Sequence, residues 1–337
     1  MRPVPVDPTG QRGPTRARAA GPKWRRTTYG LYVPSDLDPS KPEQRILEQS
    51  MRLPGVGAVT GWAALRLLGG SFFDGLARDG VTELPVRLCT GPTAQIRQAS
   101  GSIVSRERLL PRETVMRYGI PCTIGRRAAF DAMRKAPHLR AAVVVIDMVA
   151  AAEIASVSQV REYVLLHPGW EGVDQAREAL DLADEGSRSP RETDMRLVWE
   201  IDAGFPRPLV NRPVWDLHGN LLGYPDILDV EAGVVGEFDG AEHRRARRHS
   251  RDVAREEGFR RRNLEYFKIT GPDSREVVLD RMRSTRSRAL WCAPADRLWT
   301  LEPPPGWEPE MSLDELFAYR EMIHRPPDDD FGFLDAS

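Results

Sequence analysis

The stretch that decides the fold is residues 221–243, which read LLGYPDILDVEAGVVGEFDGAEH. Two largely apolar runs, residues 221–230 and 234–239, flank the turn-forming residues 231–233. Alternating apolar runs on either side of a short Gly-containing turn are typical of an antiparallel β-hairpin. We therefore predict strands at Leu221–Val230 and Val234–Asp239.

The hairpin brings acidic residues together. If residues 231 and 232 are the central turn residues, Asp226 lies directly opposite Glu237. Opposed residues of an antiparallel pair project to the same face of the sheet, and the two-residue period of a strand adds Asp239 to that face. The sequence thus predicts three converging carboxylates.

Carboxylates this close repel one another, so each either binds a proton or shares a cation with its neighbours. Oxygen ligands suit Mg²⁺ or Mn²⁺ rather than zinc. We expect Asp226 and Glu237 to be the metal ligands, where a divalent ion would polarise a phosphoryl oxygen and activate a water. The alternative is an exposed hairpin whose acids point to water, although strand interiors are otherwise poor places for acids.

The elements around the hairpin predict a mixed sheet flanked by helices. The run Ser189-Pro190-Arg191-Glu192 is a capping box with Pro at the first helical position, which predicts a helix from Pro190 to about Ala203. Glu192 is therefore either a cap or a site residue. A strand at Val210–Leu217 precedes the hairpin, and a helix at Arg245–Arg262 and a strand at Leu264–Thr270 follow it. The predicted order is αβββαβ.

The helix after the hairpin is strongly basic, with nine Arg against four acids in residues 241–262. Arginines beside an acidic metal pocket suit a phosphodiester substrate, because they bind the backbone while the metal acts on one phosphate. The candidate nucleic-acid-binding residues are Arg244, Arg245, Arg247, Arg248, Arg251 and Arg255. The alternative is a solvated Arg-rich helix. His243 is either a general base or a surface His at a strand-to-helix junction.

These residues carry a resemblance to the PD-(D/E)XK nuclease superfamily, in the branch similar to very-short-patch-repair endonucleases. The matching residues are Ser189 with Glu192, Asp226 after Pro225, the run EFDGAEH at 237–243, and Arg251-Asp252 with Arg255. The resemblance implies a restriction-endonuclease-like α/β domain at residues 187–300, with Asp226 and Glu237 holding Mg²⁺ or Mn²⁺ and Glu192 assisting. It implies a metal-dependent endonuclease whose partner is nucleic acid, with DNA favoured.

The sequence departs from the superfamily pattern at one point. The lysine expected two residues after Glu237 is replaced by Asp239. Lys268, on the following predicted strand, and His243 are the candidates for the missing group. The alternative for Lys268 is an ordinary strand-edge lysine.

The first part of the chain resembles actinobacterial proteins related to the abortive-infection type IV antitoxins. The resemblance rests on residues 25–33, 58–68 and 119–134. It implies an antitoxin-like α+β domain at residues 24–186 with a partial winged-helix remnant, of which only the wing-like strand Thr28–Val33 is visible. It also implies the alternative function, a non-catalytic regulator with a degenerate nuclease fold whose partner is a toxin or an operator.

Pattern analysis gives the same α+β class for residues 24–186. Helices are predicted at Pro42–Met51, Gly61–Leu68, Arg126–Arg134, Ala141–Ser156 and Val173–Ala183, and strands at Leu84–Leu88, Ser102–Ser105 and Cys122–Ile124. Residues 1–23, rich in Pro and Arg, are predicted to be a disordered basic arm. Residues 301–337 are predicted to be an acidic, loosely ordered tail around one helix, Ser312–Ile323.

Composition limits the class of protein. A chain of 337 residues with 41% hydrophobic residues is long enough for two globular domains. Its net charge of −1 does not by itself indicate a nucleic-acid or membrane binder. Three separated cysteines indicate neither disulfides nor a zinc site. With no apolar run long enough for a membrane span and no secretory signal, we expect a cytoplasmic protein.

Overall fold

The computed structural model describes residues 1–94, 96–239 and 246–324, with the backbone alone at 246–252 and 324. The fold is mixed α and β, with mixed sheets flanked by helices. The elements of the first half are β1 (Val4–Pro5), α1 (Arg16–Ala19), β2 (Trp24–Thr28), β3 (Leu31–Pro34), α2 (Pro42–Ser50), β4 (Ala58–Thr60), α3 (Trp62–Leu67), β5 (Val86–Cys89), β6 (Ser102–Ser105), β7 (Thr114–Arg117), β8 (Ile120–Thr123), α4 (Gly125–Arg134), α5 (Leu139–Ala151), α6 (Val157–Leu165) and α7 (Val173–Leu182).

The second half contains the predicted hairpin. Its elements are α8 (Pro190–Leu197), β9 (Val214–Asp216), β10 (Leu221–Gly223), β11 (Ile227–Asp229), β12 (Val234–Asp239), α9 (Ala246–Arg260), β13 (Glu265–Thr270), α10 (Arg275–Arg288), β14 (Trp299–Thr300) and α11 (Leu313–His324). A π-helical turn, Val198–Asp202, continues α8, which therefore ends as an α-helix earlier than the sequence predicts. None of the helices in the described ranges combines the length and apolar composition needed to cross a membrane.

The first 23 residues differ from the predicted disordered arm. β1 is an edge strand of the sheet β1-β3-β2, in which Val4 lies opposite Tyr32. The Asp7 carboxylate accepts hydrogen bonds from the backbone N–H groups of Thr9 and Arg12, at 2.9 and 2.8 Å, and closes a turn. Proline is compatible with an edge strand, and aspartate stabilises turns through its own backbone, so a Pro-rich composition did not prevent local order here. The predicted wing-like strand Thr28–Val33 is not a single strand, because it spans the turn at residues 29 and 30 that joins β2 to β3.

A five-stranded sheet with the order β6-β5-β4-β8-β7 organises the first half. The apolar faces of the sheet, α3, α4 and α5 share one core that includes Val59, Leu88, Phe130 and Ile146. The predicted helix at 141–156 ends at Ala151, because Ser156 begins a separate helix, α6, with a capping box formed with Gln159. The short strands β4 and β7 were not predicted.

The predicted hairpin register is confirmed. In the sheet β11-β12-β13, Ile227 lies opposite Gly236 and Asp229 opposite Val234. β12 and β13 are parallel and are joined through the segment that contains α9. One face of this sheet packs on α8 and α10, and the other packs on α9 through Phe259.

The predicted strand Leu221–Val230 is wrong as a single element. It divides into β10, which belongs to the sheet β10-β9-β14, and β11, which pairs with β12. Pro225 supplies no N–H donor and Gly223 has a φ of 152°, so the ladder is interrupted between them. The predicted αβββαβ order is therefore divided between two sheets. Leu209, in the segment before β9, forms an isolated bridge with Leu228 of β11.

Buried polar contacts join the two halves at α8. The Asp147 carboxylate on α5 accepts hydrogen bonds from Arg196 Nη2 and Thr193 Oγ1, each at 2.8 Å, and from the backbone N–H of Asp184 at 2.9 Å. Asp147 and Arg196 are both fully buried. The predicted boundary near residue 186 is therefore a packed junction rather than a flexible linker.

The tail contains the predicted helix. α11 spans Leu313–His324, so it begins and ends one residue later than predicted. The Ser312 hydroxyl accepts the backbone N–H of Glu315 at 3.3 Å, as an N-cap does. The remainder of the predicted tail, 325–337, lies outside the described residues.

Candidate functional site

The site forms where the hairpin strands β11 and β12 reach their open ends. The register of β11 and β12, continued by one residue, sets Asp226 opposite Glu237. Asp226 Oδ2 accepts a hydrogen bond from the backbone N–H of Phe238 at 2.7 Å. Glu237 is only 4% exposed. The two acids predicted as metal ligands therefore lie at opposed positions of the two strands, and Glu237 is buried.

Glu237 is bonded to two donors within the protein. Its Oε2 accepts hydrogen bonds from Arg255 Nη2 at 2.6 Å and from Tyr266 OH at 2.8 Å. Burial, followed by the charge of Glu237, raises the pKa of Tyr266, so this hydroxyl remains a donor. Arg255 was predicted to bind nucleic acid, and its described contact is with the acid cluster itself.

Glu192 is the third acid of the cluster. Ser189 Oγ accepts the backbone N–H of Glu192 at 3.2 Å, as predicted for the N-cap. The carboxylate does not return to Ser189 as a full capping box requires; Oε2 instead accepts the backbone N–H of Arg188 at 2.9 Å and Asn211 Nδ2 at 2.8 Å. Asn211 in turn donates its backbone N–H to the Pro225 carbonyl at 3.0 Å, next to Asp226. This network places Glu192 beside the hairpin.

The electrostatics of Asp226 show that these acids are coupled. The pKa of Asp226 is raised to about 7, chiefly by burial and also by the charges of Glu192 and Glu237. The Phe238 N–H and the Arg255 guanidinium oppose the shift without cancelling it. Asp226 is therefore only partly ionised near neutral pH, and a cation placed between the carboxylates would relieve the repulsion.

Asp239 does not complete the cluster as predicted. Its Oδ2 lies 3.8 Å from Lys268 Nζ, and Lys268 is the residue opposite Glu237 in the parallel ladder of β12 and β13. Among the residues that the structure describes, no group of three or more His, Cys, Asp or Glu side chains is close enough to hold a metal ion. The described interactions therefore couple Asp226 electrostatically to Glu192 and Glu237 and pair Asp239 with Lys268.

Several predicted site residues cannot be located. His243, Arg244 and Arg245 lie outside the described residues. The helix α9 includes Arg247, Arg248, Arg251 and Arg255. Only Arg255 among these has a described side-chain contact.

A cavity of about 350 Å³ adjoins the acid cluster and was not predicted. Its walls include Asn211, which contacts Glu192, and three aromatic side chains, Trp215, Tyr224 and Trp307. The rings of Trp215 and Trp307 meet edge to face, with centroids 5.5 Å apart. No sequence pattern indicates this cavity, because its aromatic residues come from β9, the hairpin and the tail. Aromatic walls of this kind can stack on a nucleobase.

The Asp226→Asn variant is expected to be more stable than wild type at about pH 8, by about 2 kcal/mol. A raised pKa means that the folded state binds more protons than the unfolded chain, whose Asp pKa is about 3.9, so the free energy of unfolding falls as the pH rises from about 4 to about 7. One pKa unit corresponds to about 1.4 kcal/mol, and the figure is reduced because Asp226 is only partly buried. The side-chain oxygen of Asn can still accept the hydrogen bond from the backbone N–H of Phe238.

Urea unfolding at about pH 4 and about pH 8 measures this difference. The advantage of Asp226→Asn should disappear at the acidic pH, and Asp280→Asn, at an exposed position on α10, should match wild type at both. An Asp226→Asn protein no more stable than wild type at the alkaline pH would show that the carboxylates do not repel one another.

The chain matches no family model, no curated protein and no solved structure in the comparisons made. A function must therefore be inferred from the side chains. Glu192, Asp226 and Glu237 offer only carboxylate oxygens, which is the donor chemistry of Mg²⁺ and Mn²⁺ rather than of softer metals. The donor type thus suits the predicted ion, whereas the described geometry does not bring these three carboxylates close enough to hold it, and Arg255 would have to release Glu237.

Proposed function

We propose that this protein is a divalent-metal-dependent endonuclease that hydrolyses phosphodiesters of nucleic acid, with DNA the favoured substrate. The observation that carries the proposal is the grouping of Glu192, Asp226 and Glu237 at one end of the β11–β12 hairpin, where burial and then the charges of the two glutamates raise the pKa of Asp226 to about 7. Such crowding costs free energy and has no evident benefit to stability. Perturbed acids of this kind are characteristic of functional sites.

In this proposal Asp226 and Glu237 hold Mg²⁺ or Mn²⁺, and Glu192 lies beside them to orient or accept a proton from a water. The metal, when bound, would polarise a phosphoryl oxygen and lower the pKa of that water. Arg255 contacts Glu237 at 2.6 Å, so a bound phosphate and Glu237 would compete for one guanidinium. Binding of substrate would then release Glu237 for the metal.

The surroundings of the cluster suit a nucleic acid. α9, from which Arg255 extends, carries basic residues along its length, and such residues bind a phosphate backbone in a salt-dependent manner. The cavity walled by Trp215, Tyr224 and Trp307 lies next to Glu192 and would accept an unstacked base. We place this activity in the reducing cytoplasm, where free cysteines such as Cys89 and Cys122 persist.

A second candidate is the antitoxin-like regulator, which binds an operator or a toxin without cleavage. The observation that favours it is that groups within the protein already bind the acids. Arg255 and Tyr266 donate hydrogen bonds to Glu237, and Lys268 lies 3.8 Å from Asp239. A platform of this kind needs no metal.

A cleavage assay separates the two functions. Purified protein is incubated with single-stranded, duplex, mismatched and branched DNA and with RNA, with Mg²⁺, Mn²⁺ or a chelator. The nuclease proposal predicts cleavage of at least one substrate that requires the metal. Binding that is unchanged by chelator, without cleavage of any of these substrates, would contradict it and favour the regulator.

A further inference from the structure

A second cavity, of about 370 Å³, lies between the five-stranded sheet and α4, in the part of the chain that precedes α8. β4, β5 and β6 supply one wall, and the last turn of α4 supplies another. The cationic lining residues are Arg87, Arg106, Arg134 and Lys135. A volume of this size is within the range of small-molecule sites.

The acids of this cavity are already bonded within the protein. Asp131 is 1% exposed, and its oxygens accept hydrogen bonds from Thr60 Oγ1 at 2.6 Å, Arg127 Nε at 2.8 Å and Arg134 Nε at 3.0 Å. Arg134 also contacts Glu107. These bonds fix the arrangement of α4 on the sheet and leave Asp131 little capacity for another cation.

One further ion pair at this cavity follows the same pattern. Lys135 is paired with Glu171 at 2.5 Å. Arg134, Lys135 and their partners therefore balance one another at the rim of the cavity.

Arg87 is different from these cations. It lies opposite Thr60 in the ladder of β4 and β5 and lines the cavity half-buried. Within the described part of the chain its guanidinium takes part in no hydrogen bond or ion pair. Burial lowers the pKa of Arg87 and thus disfavours its charge, and the charges of Asp131, Glu107 and Glu171 oppose this shift without cancelling it. A partly desolvated guanidinium without a partner is costly, so this position favours an anion from outside the protein.

We propose that this cavity binds the phosphate group of a small phosphomonoester, with Arg87 as its principal ligand. Arg106, exposed on the same lining, likewise has no ion pair among the described residues. These two cations match the charge of about −1.5 to −2 that a phosphomonoester carries near neutral pH, whereas a carboxylate would balance only one of them. A guanidinium also presents a planar fork of donors that suits phosphate oxygens.

The lining favours a small ligand over a nucleic-acid strand. Glu107, Asp131 and Glu171 also face the cavity, and three carboxylates would repel the successive phosphates of a strand. A single phosphate group can contact Arg87 and Arg106 while Glu107, Asp131 and Glu171 stay paired with Arg134, Arg127 and Lys135. The inference is independent of the proposed nuclease activity, because it concerns different residues on a different sheet.

Calorimetry and thermal unfolding test the site, with inorganic phosphate, adenosine 5′-monophosphate, acetate and an oligonucleotide without terminal phosphate as probes. The expected result is binding of phosphate and the mononucleotide, with no effect of acetate. Arg87→Met should weaken phosphate binding by at least about tenfold and should raise the melting temperature of the protein without ligand. Those two effects have opposite signs, which a merely structural role of Arg87 would not produce.

Two further variants complete the design. Arg106→Gln, at an exposed position that does not threaten folding, should weaken phosphate binding severalfold. Arg117→Met is the matched control, since Arg117 is exposed on β7 at the opposite edge of the same sheet, and it should bind phosphate as wild type does. The proposal is overturned if neither phosphate nor the mononucleotide binds, or if Arg87→Met binds them normally. It is also overturned if the oligonucleotide without terminal phosphate displaces them.

Discussion

Glu237→Gln is expected to lower the rate of metal-dependent cleavage by at least about 100-fold, the scale seen when a group that stabilises the transition state is removed. The amide cannot replace the charge of a carboxylate ligand, so the divalent ion would lose one of its two proposed carboxylate ligands. Gln can still accept hydrogen bonds from Arg255 and Tyr266, which contact Glu237 Oε2 in the wild type. The melting temperature should therefore change little, and the lower cleavage rate would reflect the loss of a metal ligand rather than unfolding.

The matched control for this experiment is Glu257→Gln. Glu257 is on α9 with an exposed ion pair to Arg261 at 2.9 Å, and such pairs contribute little. This variant should cut as fast as wild type. Cleavage at the wild-type rate by Glu237→Gln, measured on the substrate that wild type cuts best, would remove Glu237 from the active site.

The largest effect on stability is expected for Arg196→Met, which should lower the free energy of unfolding by about 3–5 kcal/mol. The loss of Arg196 leaves Asp147 fully buried with only Thr193 and the Asp184 N–H as donors. Burial already raises the pKa of Asp147 despite the opposing charge of Arg196. Without that charge the carboxylate would be protonated over a wider pH range in the folded state, so the loss should grow as the pH rises and shrink as it falls.

Urea unfolding of three variants tests this expectation. Arg161→Met, which removes an exposed pair with Asp181 at 2.7 Å, should cost less than about 1 kcal/mol. The double variant Asp147→Leu with Arg196→Met should recover part of the loss, because the fully buried carboxylate of Asp147 is then absent, and only Glu200 loses its 2.8 Å pair with Arg196. A loss for Arg196→Met no larger than that for Arg161→Met would show that the junction between α5 and α8 does not hold the two halves together.

The hairpin could be predicted because its signal is local. A strand period of two and a short turn fix which residues face each other, and the observed pairing of Ile227 with Gly236 follows that register. The division of the predicted strand Leu221–Val230 at Pro225 was not predicted. Its apolar residues indicate one continuous strand, although Pro225 cannot donate a hydrogen bond to a neighbouring strand. The order at β1 was missed for the converse reason, because an edge strand tolerates proline.

The candidate site was predictable only in part. The pairing of Asp226 with Glu237 depends on register, whereas the approach of Glu192 depends on a bond with Asn211 that no sequence pattern reveals. Arg255 was assigned to nucleic acid on charge alone, and its contact with Glu237 follows from the packing of α9 on the sheet. Arg87 could not be distinguished in a chain so rich in arginine, because its lack of a partner is a property of the folded state.

The most direct test of the central claim, that neighbouring carboxylates share one divalent cation, is calorimetric titration of Mn²⁺ into wild type and Asp226→Asn at about pH 7. With Asp226 near its pKa, metal binding should release protons, detected by comparing buffers of different ionisation enthalpy. The expected result is binding to wild type and to Asp280→Asn with proton release, and affinity at least about tenfold weaker in Asp226→Asn. Equal Mn²⁺ affinity of wild type and Asp226→Asn, or no binding to either, would contradict the claim.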